Sequence, residues 1–205
     1  MQVYILKESN SDSRVAASPD TVKKMMEWGL HVVIQDNTGL NANFSNEDYI
    51  KSGATLSNDI ADISKSDLIL KINKPNDDEI TFMNEGSILI ASLDPYNNSE
   101  TLNKLKDKGV TSFAMELMPR ITRAQSMDIL SSQSNLAGYK AVIDATYLFN
   151  KAMPMMMTAA GTIAPAKVMV FGAGVAGLQA IATAKRLGAI VPAAVIIMGI
   201  ALLKR

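Results

Sequence analysis

Residues Lys167–Gly188 read KVMVFGAGVAGLQAIATAKRLG. This stretch predicts a strand over Lys167–Phe171, a turn with three glycines, and a helix over Val175–Leu187. A strand, a glycine turn and a helix in this order form the dinucleotide-binding fingerprint, in which the helix N-terminus faces the phosphates. The glycines allow a tight turn, close approach of the backbone to a pyrophosphate, and close packing of helix on strand. The predicted cofactor-binding residues are Gly172, Ala173, Gly174, Val175, Ala176 and Gly177.

The sequence that follows the fingerprint departs from this pattern. A dinucleotide site expects an acidic residue about 20 positions further on, which binds the adenosine ribose. Here the chain continues AIVPAAVIIMGIALLKR, and its last acidic residue is Asp144. We therefore expect a nucleotide-binding domain that is truncated after its first strand, turn and helix. The uncharged residues 187–203 leave three interpretations open: a buried strand, an abnormal terminus, or a membrane span interrupted by Pro192 and Gly199.

The residues before the fingerprint alternate apolar runs with polar helical stretches. The predicted strands are Val3–Leu6, His31–Ile34, Asp67–Ile72, Ser87–Ala91 and Val110–Ala114, and the clearest helices are Pro19–Trp28 and Ser99–Lys108. Strands that alternate with helices indicate a parallel sheet covered on both faces. We predict an α/β fold with two Rossmann-like parallel-sheet domains: residues 1–125, a connecting loop and helix over 126–151, and a partial NAD-binding domain over 152–205 with an atypical apolar tail.

Composition excludes several classes of site. The chain has no cysteine and one histidine, so disulfides, thiol nucleophiles and the usual zinc sites are ruled out, and we predict no metal. We interpret His31 as a surface or strand-end residue, and the cluster Met153–Met157 as flexible packing at a domain junction. Residues 145–205 carry six of the 20 basic residues and none of the 20 acidic ones. Because those six are scattered, we predict no nucleic-acid partner. No signal peptide is visible at MQVYILKES, which favours the cytoplasm as the default compartment.

Residues 116–140 are unusually polar for a segment between two domains. They read ELMPRITRAQSMDILSSQSNLAGYK. One interpretation is a solvated linker in which Ser131–Ser134 cap the following helix. The other is a loop that reaches over a ligand, in which Gln binds a carboxamide, Arg a phosphate or carboxamide oxygen, and Asp and Ser the ribose hydroxyls.

At these motifs the chain resembles the alanine dehydrogenase and transhydrogenase superfamily, over residues 1–191. The resemblance is carried by Glu8, Arg14–Pro19 (RVAASP), Leu70–Pro75 (LKINKP), Met118–Lys140, Pro154–Pro165 and the fingerprint. Within the superfamily the chain looks like the NAD(H)-binding alpha subunit of proton-translocating NAD(P) transhydrogenases. This resemblance implies that the loop contacts the nicotinamide end of the nucleotide through Arg120, Gln125, Asp128 and Ser131. It also implies that the family's Asp-Val-Arg signature, expected after Leu187–Val191, is missing.

The resemblance also implies the reaction and the partners. A transhydrogenase passes a hydride from NADH to NADP⁺ on a separate subunit, and the transfer is coupled to proton translocation. The expected partners are the membrane and NADP(H)-binding subunits and a second copy of the chain, at the cytoplasmic face of the inner membrane as a peripheral, soluble domain. Hydride transfer between two nicotinamides needs positioning rather than an acid or base.

Three alternatives remain. Alanine dehydrogenases are similar at Arg14 and Lys74, but they need a catalytic His that this chain lacks at Ile90–Asp94, so we interpret these two cations as structural or inherited. A truncated, non-catalytic fragment is the second alternative. A nucleotide-binding module anchored in a membrane through residues 187–203 is the third.

Overall fold

The computed structural model describes residues 1–9 and 11–194. Its strands are β1 (Gln2–Ile5), β2 (His31–Gln35), β3 (Thr55–Ser57), β4 (Leu68–Leu70), β5 (Ile88–Ala91), β6 (Thr111–Ala114), β7 (Met156–Thr158), β8 (Gly161–Ile163), β9 (Val170–Phe171) and β10 (Ala193–Ala194). Its α-helices are α1 (Pro19–Glu27), α2 (Asn46–Lys51), α3 (Asp77–Phe82), α4 (Ser99–Asp107), α5 (Ile129–Leu148) and α6 (Val175–Arg186). The chain divides into two compact units, Met1–Met127 and the residues from Asp128 onward. The domains predicted from sequence divide the chain by function, and those boundaries stay a prediction.

The first unit is built on a six-stranded sheet of order β3-β2-β1-β4-β5-β6. Every neighbouring pair is parallel, so the predicted α/β fold is confirmed. The strand order reverses direction between β1 and β4, which makes this pair the topological switch point of the sheet. All five strands predicted in this region are present, with ends shifted by one or two residues. The sequence analysis missed β3, because three residues with one buried side chain carry too little alternation to detect.

Two apolar clusters cover the sheet of the first unit. One contains Tyr4, Ile69 and Leu89, and the other contains Ile5, Val32 and Ile34. Adjacent residues of β1 thus point into different clusters, as the two-residue period of a strand requires. Local signals fix the surrounding helices: Ser18 caps α1 ahead of Pro19 by accepting a hydrogen bond from Thr21 N, and α2 and α3 each begin with a capping box.

The second unit contains the long helix α5, the hairpin β7–β8, and the fingerprint. Strand β9 pairs in parallel with β10, and Lys167 forms an isolated bridge with Ile190. Sequence analysis expected Pro192 to interrupt this second strand; instead the pairing with β9 continues beyond it at Ala193 and Ala194. Pro192 itself has no N–H to give, so the ladder is carried by its neighbours.

The methionine cluster has a different role from the one predicted. Met153 is buried in the second unit, but Met155, Met156 and Met157 are exposed, and two of them lie in β7. The interpretation as packing at a junction is therefore wrong for these three. The hairpin was missed because its strands are exposed on both faces and so show no apolar alternation.

No helix within residues 1–9 and 11–194 is long and apolar enough to cross a bilayer. The predicted alternatives for residues 187–203 concern residues that lie mostly outside this described part of the chain.

Candidate nucleotide-binding site

The fingerprint forms a tight turn between β9 and α6. Gly172 has a φ of +99°, in the left-handed region that favours glycine. A Cβ at Gly177 would lie 2.1 Å from the carbonyl oxygen of Gly172. The first and third glycines are therefore required by the protein's own backbone, whether or not a ligand is bound.

The second glycine has a different environment. Gly174 is the N-cap of α6 with extended backbone angles and has no side-chain capping bond. A Cβ built at Gly174 meets nothing within 4 Å, so the protein itself does not need a glycine there. An uncapped helix start has unpaired N–H groups and a partial positive charge, which together favour an anion. This open, uncapped turn fits a pyrophosphate.

Two of the four predicted nicotinamide-side residues are in contact with each other. Asp128 is the N-cap of α5: its Oδ1 accepts a hydrogen bond from Ser131 N at 3.0 Å. Ser131 Oγ donates to Asp128 Oδ2 at 2.6 Å. The predicted cap by Ser131–Ser134 is thus wrong, since Asp128 supplies the cap and Ser131 is its partner. The role of this pair toward nicotinamide stays a prediction.

The other two predicted residues, Arg120 and Gln125, belong to the first unit. Both are exposed, and Gln125 lies in a 3-10 stretch, Thr122–Met127, that is anchored by the buried Ala124. Their side chains are therefore accessible to a ligand, and their roles also remain predictions.

In the first unit, the switch point between β1 and β4 is filled by the protein's own carboxylate. Glu8 is buried, and it accepts hydrogen bonds from Ile72 N at 2.6 Å, Asn73 N at 3.2 Å and Asn73 Nδ2 at 2.8 Å. Open α/β sheets commonly bind their ligands at this position. With Glu8 in place, the glycine turn of the second unit is the stronger candidate for the nucleotide.

The two cations shared with alanine dehydrogenases have protein partners. Arg14 donates to Asp12 through Nε at 2.9 Å and Nη2 at 2.6 Å, and these bonds hold the pKa of Asp12 well below its usual range. Lys74 Nζ donates to Asn98 Oδ1. Lys74 lines a cavity of about 520 Å³ with Ser92, Asp94 and Glu116, and no histidine lies among its lining residues in the described part of the chain.

Glu116 is held at the side of this cavity by main-chain donors. Its Oε1 accepts hydrogen bonds from Leu93 N at 2.9 Å and from Asp94 N. Within the described residues its buried Oε2 has no hydrogen-bond partner. Sequence analysis did not single out Glu116, because neither periodicity nor a motif marks it.

Gly138 is a second residue that sequence analysis missed. It lies buried in the middle of α5, and a Cβ there would be 2.1 Å from the carbonyl oxygen of Ala176 in the first turn of α6. The signal that could have revealed it is an isolated glycine within a helical pattern, which usually has a packing reason when it is kept.

Comparison with known proteins agrees with this geometry. The family model for the alanine dehydrogenase/PNT N-terminal domain matches residues 4–137, and that for the C-terminal domain matches residues 141–196. An NAD(P) transhydrogenase subunit alpha of Rhodospirillum rubrum is 49% identical over 200 residues, which is 94% of this chain and 52% of that protein. Alanine dehydrogenase of Bacillus subtilis (strain 168) is 30% identical over 183 residues, 88% of this chain and 48% of that protein.

Among solved structures, the transhydrogenase from Sinorhizobium meliloti superposes with a TM-score of 0.90 at 52% identity. The match covers 94% of this chain and 58% of that chain. The chain spans about half the length of the curated relatives it matches.

Proposed function

The chain belongs to the alanine dehydrogenase/PNT family, and on that premise we propose that it forms a portion of the NAD(H)-binding alpha subunit of an NAD(P) transhydrogenase. The observation that carries this proposal is the turn between β9 and α6, which is open at Gly174 and uncapped at the helix start. The identity to a transhydrogenase alpha subunit, 49%, against 30% to an alanine dehydrogenase, supports the choice within the family.

We propose that the main-chain N–H groups at the start of α6 bind the pyrophosphate of NAD(H). Gly172 shapes the turn through its positive φ, and Gly177 lets α6 approach the Gly172 carbonyl. Substitution of Gly174 would place a methyl group where the ligand must lie. When bound, NADH supplies the hydride; the protein supplies orientation and excludes water.

The nicotinamide end is assigned to Arg120, Gln125, Asp128 and Ser131. The hydrogen bond between Ser131 and Asp128 holds both side chains at the start of α5, so a ligand meets a preorganised pair. Gln125 can offer a donor and an acceptor to a carboxamide, and Arg120 can bind an oxygen atom. Arg120 and Gln125 are exposed and thus free to turn toward a ligand.

The rest of the proposed activity lies with partner subunits. NADP(H) binds a separate subunit, hydride passes between the two nicotinamides, and the transfer is coupled to proton translocation by a membrane subunit. The chain acts as a peripheral domain at the cytoplasmic face of the inner membrane and forms a homodimer. Residues 1–125, 126–151 and 152–205 serve as N-terminal domain, connecting segment and partial NAD-binding domain.

An alanine dehydrogenase reaction is disfavoured by chemistry. Oxidative deamination must move a proton as well as a hydride, and it therefore needs an acid–base group near the substrate. Arg14 and Lys74 have Asp12 and Asn98 as partners, and Ile90–Asp94 contains no histidine. Hydride exchange between nicotinamides has no such requirement.

The proposal is tested by calorimetric titration of the purified chain with NADH, with NADPH as the control ligand. We expect NADH to bind and NADPH to bind much more weakly. If a folded sample binds neither, residues 1–205 do not form the site, and the chain is a non-catalytic fragment. For a chain that does bind, Gln125→Asn in the presence of an NADP(H)-binding subunit should slow hydride transfer more than it weakens NADH binding. Equal losses would mean that Gln125 only supports the shape of the loop.

A further inference from the structure

Gly138 has no local reason to be a glycine. It lies inside the 20-residue helix α5, where glycine is less favourable than alanine because it leaves more backbone freedom to lose. Its φ is not among the positive values found at other glycines, so the helix backbone itself would accept alanine. The reason must therefore be found in packing.

The packing partner of Gly138 is the backbone at the start of α6. A Cβ on Gly138 would lie 2.1 Å from the carbonyl oxygen, 2.9 Å from the carbonyl carbon and 3.0 Å from the Cα of Ala176. These are main-chain atoms, which cannot rotate out of the way as a side chain would. Any side chain at position 138 must push α5 and the first turn of α6 apart.

The same turn of α6 is in backbone contact on a second side. Gly177, next to Ala176, approaches the Gly172 carbonyl so closely that its own Cβ would be 2.1 Å away. The first turn of α6 thus touches the glycine turn through Gly177 and touches α5 through Gly138. Two glycines from different regions of the sequence fix the position of the N–H groups at the helix start.

We propose that Gly138 is a positioning residue of the dinucleotide site, acting as a fourth glycine outside the fingerprint. The inference rests on the proposed function, in which the start of α6 binds the pyrophosphate. Gly138 acts through Ala176 and does not itself touch the nucleotide. Its contact also sets a distance, because α5 begins at the Asp128–Ser131 pair, roughly 10–15 Å along the helix axis from Gly138. The crossing holds the nicotinamide-side cap and the pyrophosphate turn at one fixed separation.

The experiment compares Gly138→Ala with the neighbouring Ala137→Gly, at an exposed position of the same helix. Helix propensity predicts that Gly138→Ala raises the unfolding midpoint and that Ala137→Gly lowers it. The packing argument reverses the first sign. We expect Gly138→Ala to lower the midpoint and to weaken NADH binding about tenfold, equivalent to one lost hydrogen bond. Ala137→Gly should leave NADH affinity unchanged at a temperature where both variants are folded, which separates positioning from general destabilisation.

A Gly138→Ala variant that binds NADH like the wild type and unfolds at the same or a higher temperature would overturn the inference. If the wild-type chain binds no NADH, the proposed function fails, and Gly138 is then judged by the amide NMR signals of Gly172, Gly174 and Gly177. Shifted signals in Gly138→Ala support the positioning role, and unchanged signals refute it. If Gly138→Ala does not fold, the wild type decides: a nuclear Overhauser contact between the Gly138 Hα atoms and the Ala176 or Gly177 amide supports the crossing, and its absence refutes it.

Discussion

The two units are stabilised in different ways. The first buries large side chains on both faces of its sheet, including Tyr4, Ile69 and Leu89. The buried cluster of the second consists of three alanines with Val142 and Met153, while Phe171 of β9 is 70% exposed. Stability from apolar burial scales with the area removed from water, so it is concentrated in the first unit. The second unit relies on close backbone contacts at Gly138 and Gly177, and these contacts shape the candidate site.

The largest expected effect on stability comes from the buried ion pair of the first unit. Lys71 Nζ lies 2.6 Å from both carboxylate oxygens of Glu79, and both side chains are almost fully buried. Lys71→Met leaves a buried carboxylate without its cation and should cost about 3–5 kcal/mol in urea unfolding. The exposed pair of Lys65 and Asp62 provides the control: Lys65→Met should cost no more than ~1 kcal/mol. Equal losses would mean that burial does not distinguish the two pairs.

A matched pair of truncations compares the sheets directly. Leu89→Ala removes a side chain that is 0% exposed and should destabilise the first unit by about 2–5 kcal/mol. Phe171→Ala, on the open strand of the second unit, should cost less than ~1 kcal/mol. Hydrogen exchange of the β4 and β9 amides can measure each unit by itself. A large loss for Phe171→Ala would show that this ring is covered in solution, by a partner or a second copy.

The first unit should also lose stability at alkaline pH. Burial raises the pKa of Tyr49 to about 12, and its hydroxyl donates to Ala17 O at 3.0 Å. An unfolded chain ionises tyrosine near pH ~10, so the contribution of Tyr49 is fully present below pH ~10 and is lost as pH rises to about 12. Tyr49→Phe should flatten this decline, although Tyr4, whose pKa burial also raises, leaves some of it. At neutral pH the lost hydrogen bond should cost about 0.5–1.5 kcal/mol. An unchanged alkaline slope would contradict the assignment.

The smallest expected effect on stability is at Gly174. Because a Cβ there meets nothing within 4 Å, Gly174→Ala should change the free energy of unfolding by no more than ~0.5 kcal/mol. NADH affinity should nevertheless fall, since the methyl group crowds the pyrophosphate. Gly177→Ala is the contrasting variant, and it should destabilise the second unit because its Cβ would clash with the Gly172 carbonyl. If Gly174→Ala leaves NADH affinity unchanged, the phosphates lie elsewhere.

The sequence predicts the features that local patterns encode. Apolar runs between capped helices gave the strands β1, β2, β4, β5 and β6, and the spacing of Gly172, Gly174 and Gly177 gave the turn. Features that depend on distant partners were not predictable. Glu116 is 22 residues or more from the amides of Leu93 and Asp94 that it accepts from, and nothing in the sequence near Gly138 identifies Ala176 as its neighbour. The cap at Asp128 was placed wrongly because several adjacent polar residues could each serve as a cap.

Glu8 gives the switch point of the first unit a built-in occupant. A carboxylate tethered to the sheet is present there at a high effective concentration, at least in the millimolar range expected for short tethers. A diffusing anion would have to displace it from three hydrogen bonds and leave its charge buried. The first unit thus competes against external ligands at its own crevice, which directs recognition of free nucleotide to the second.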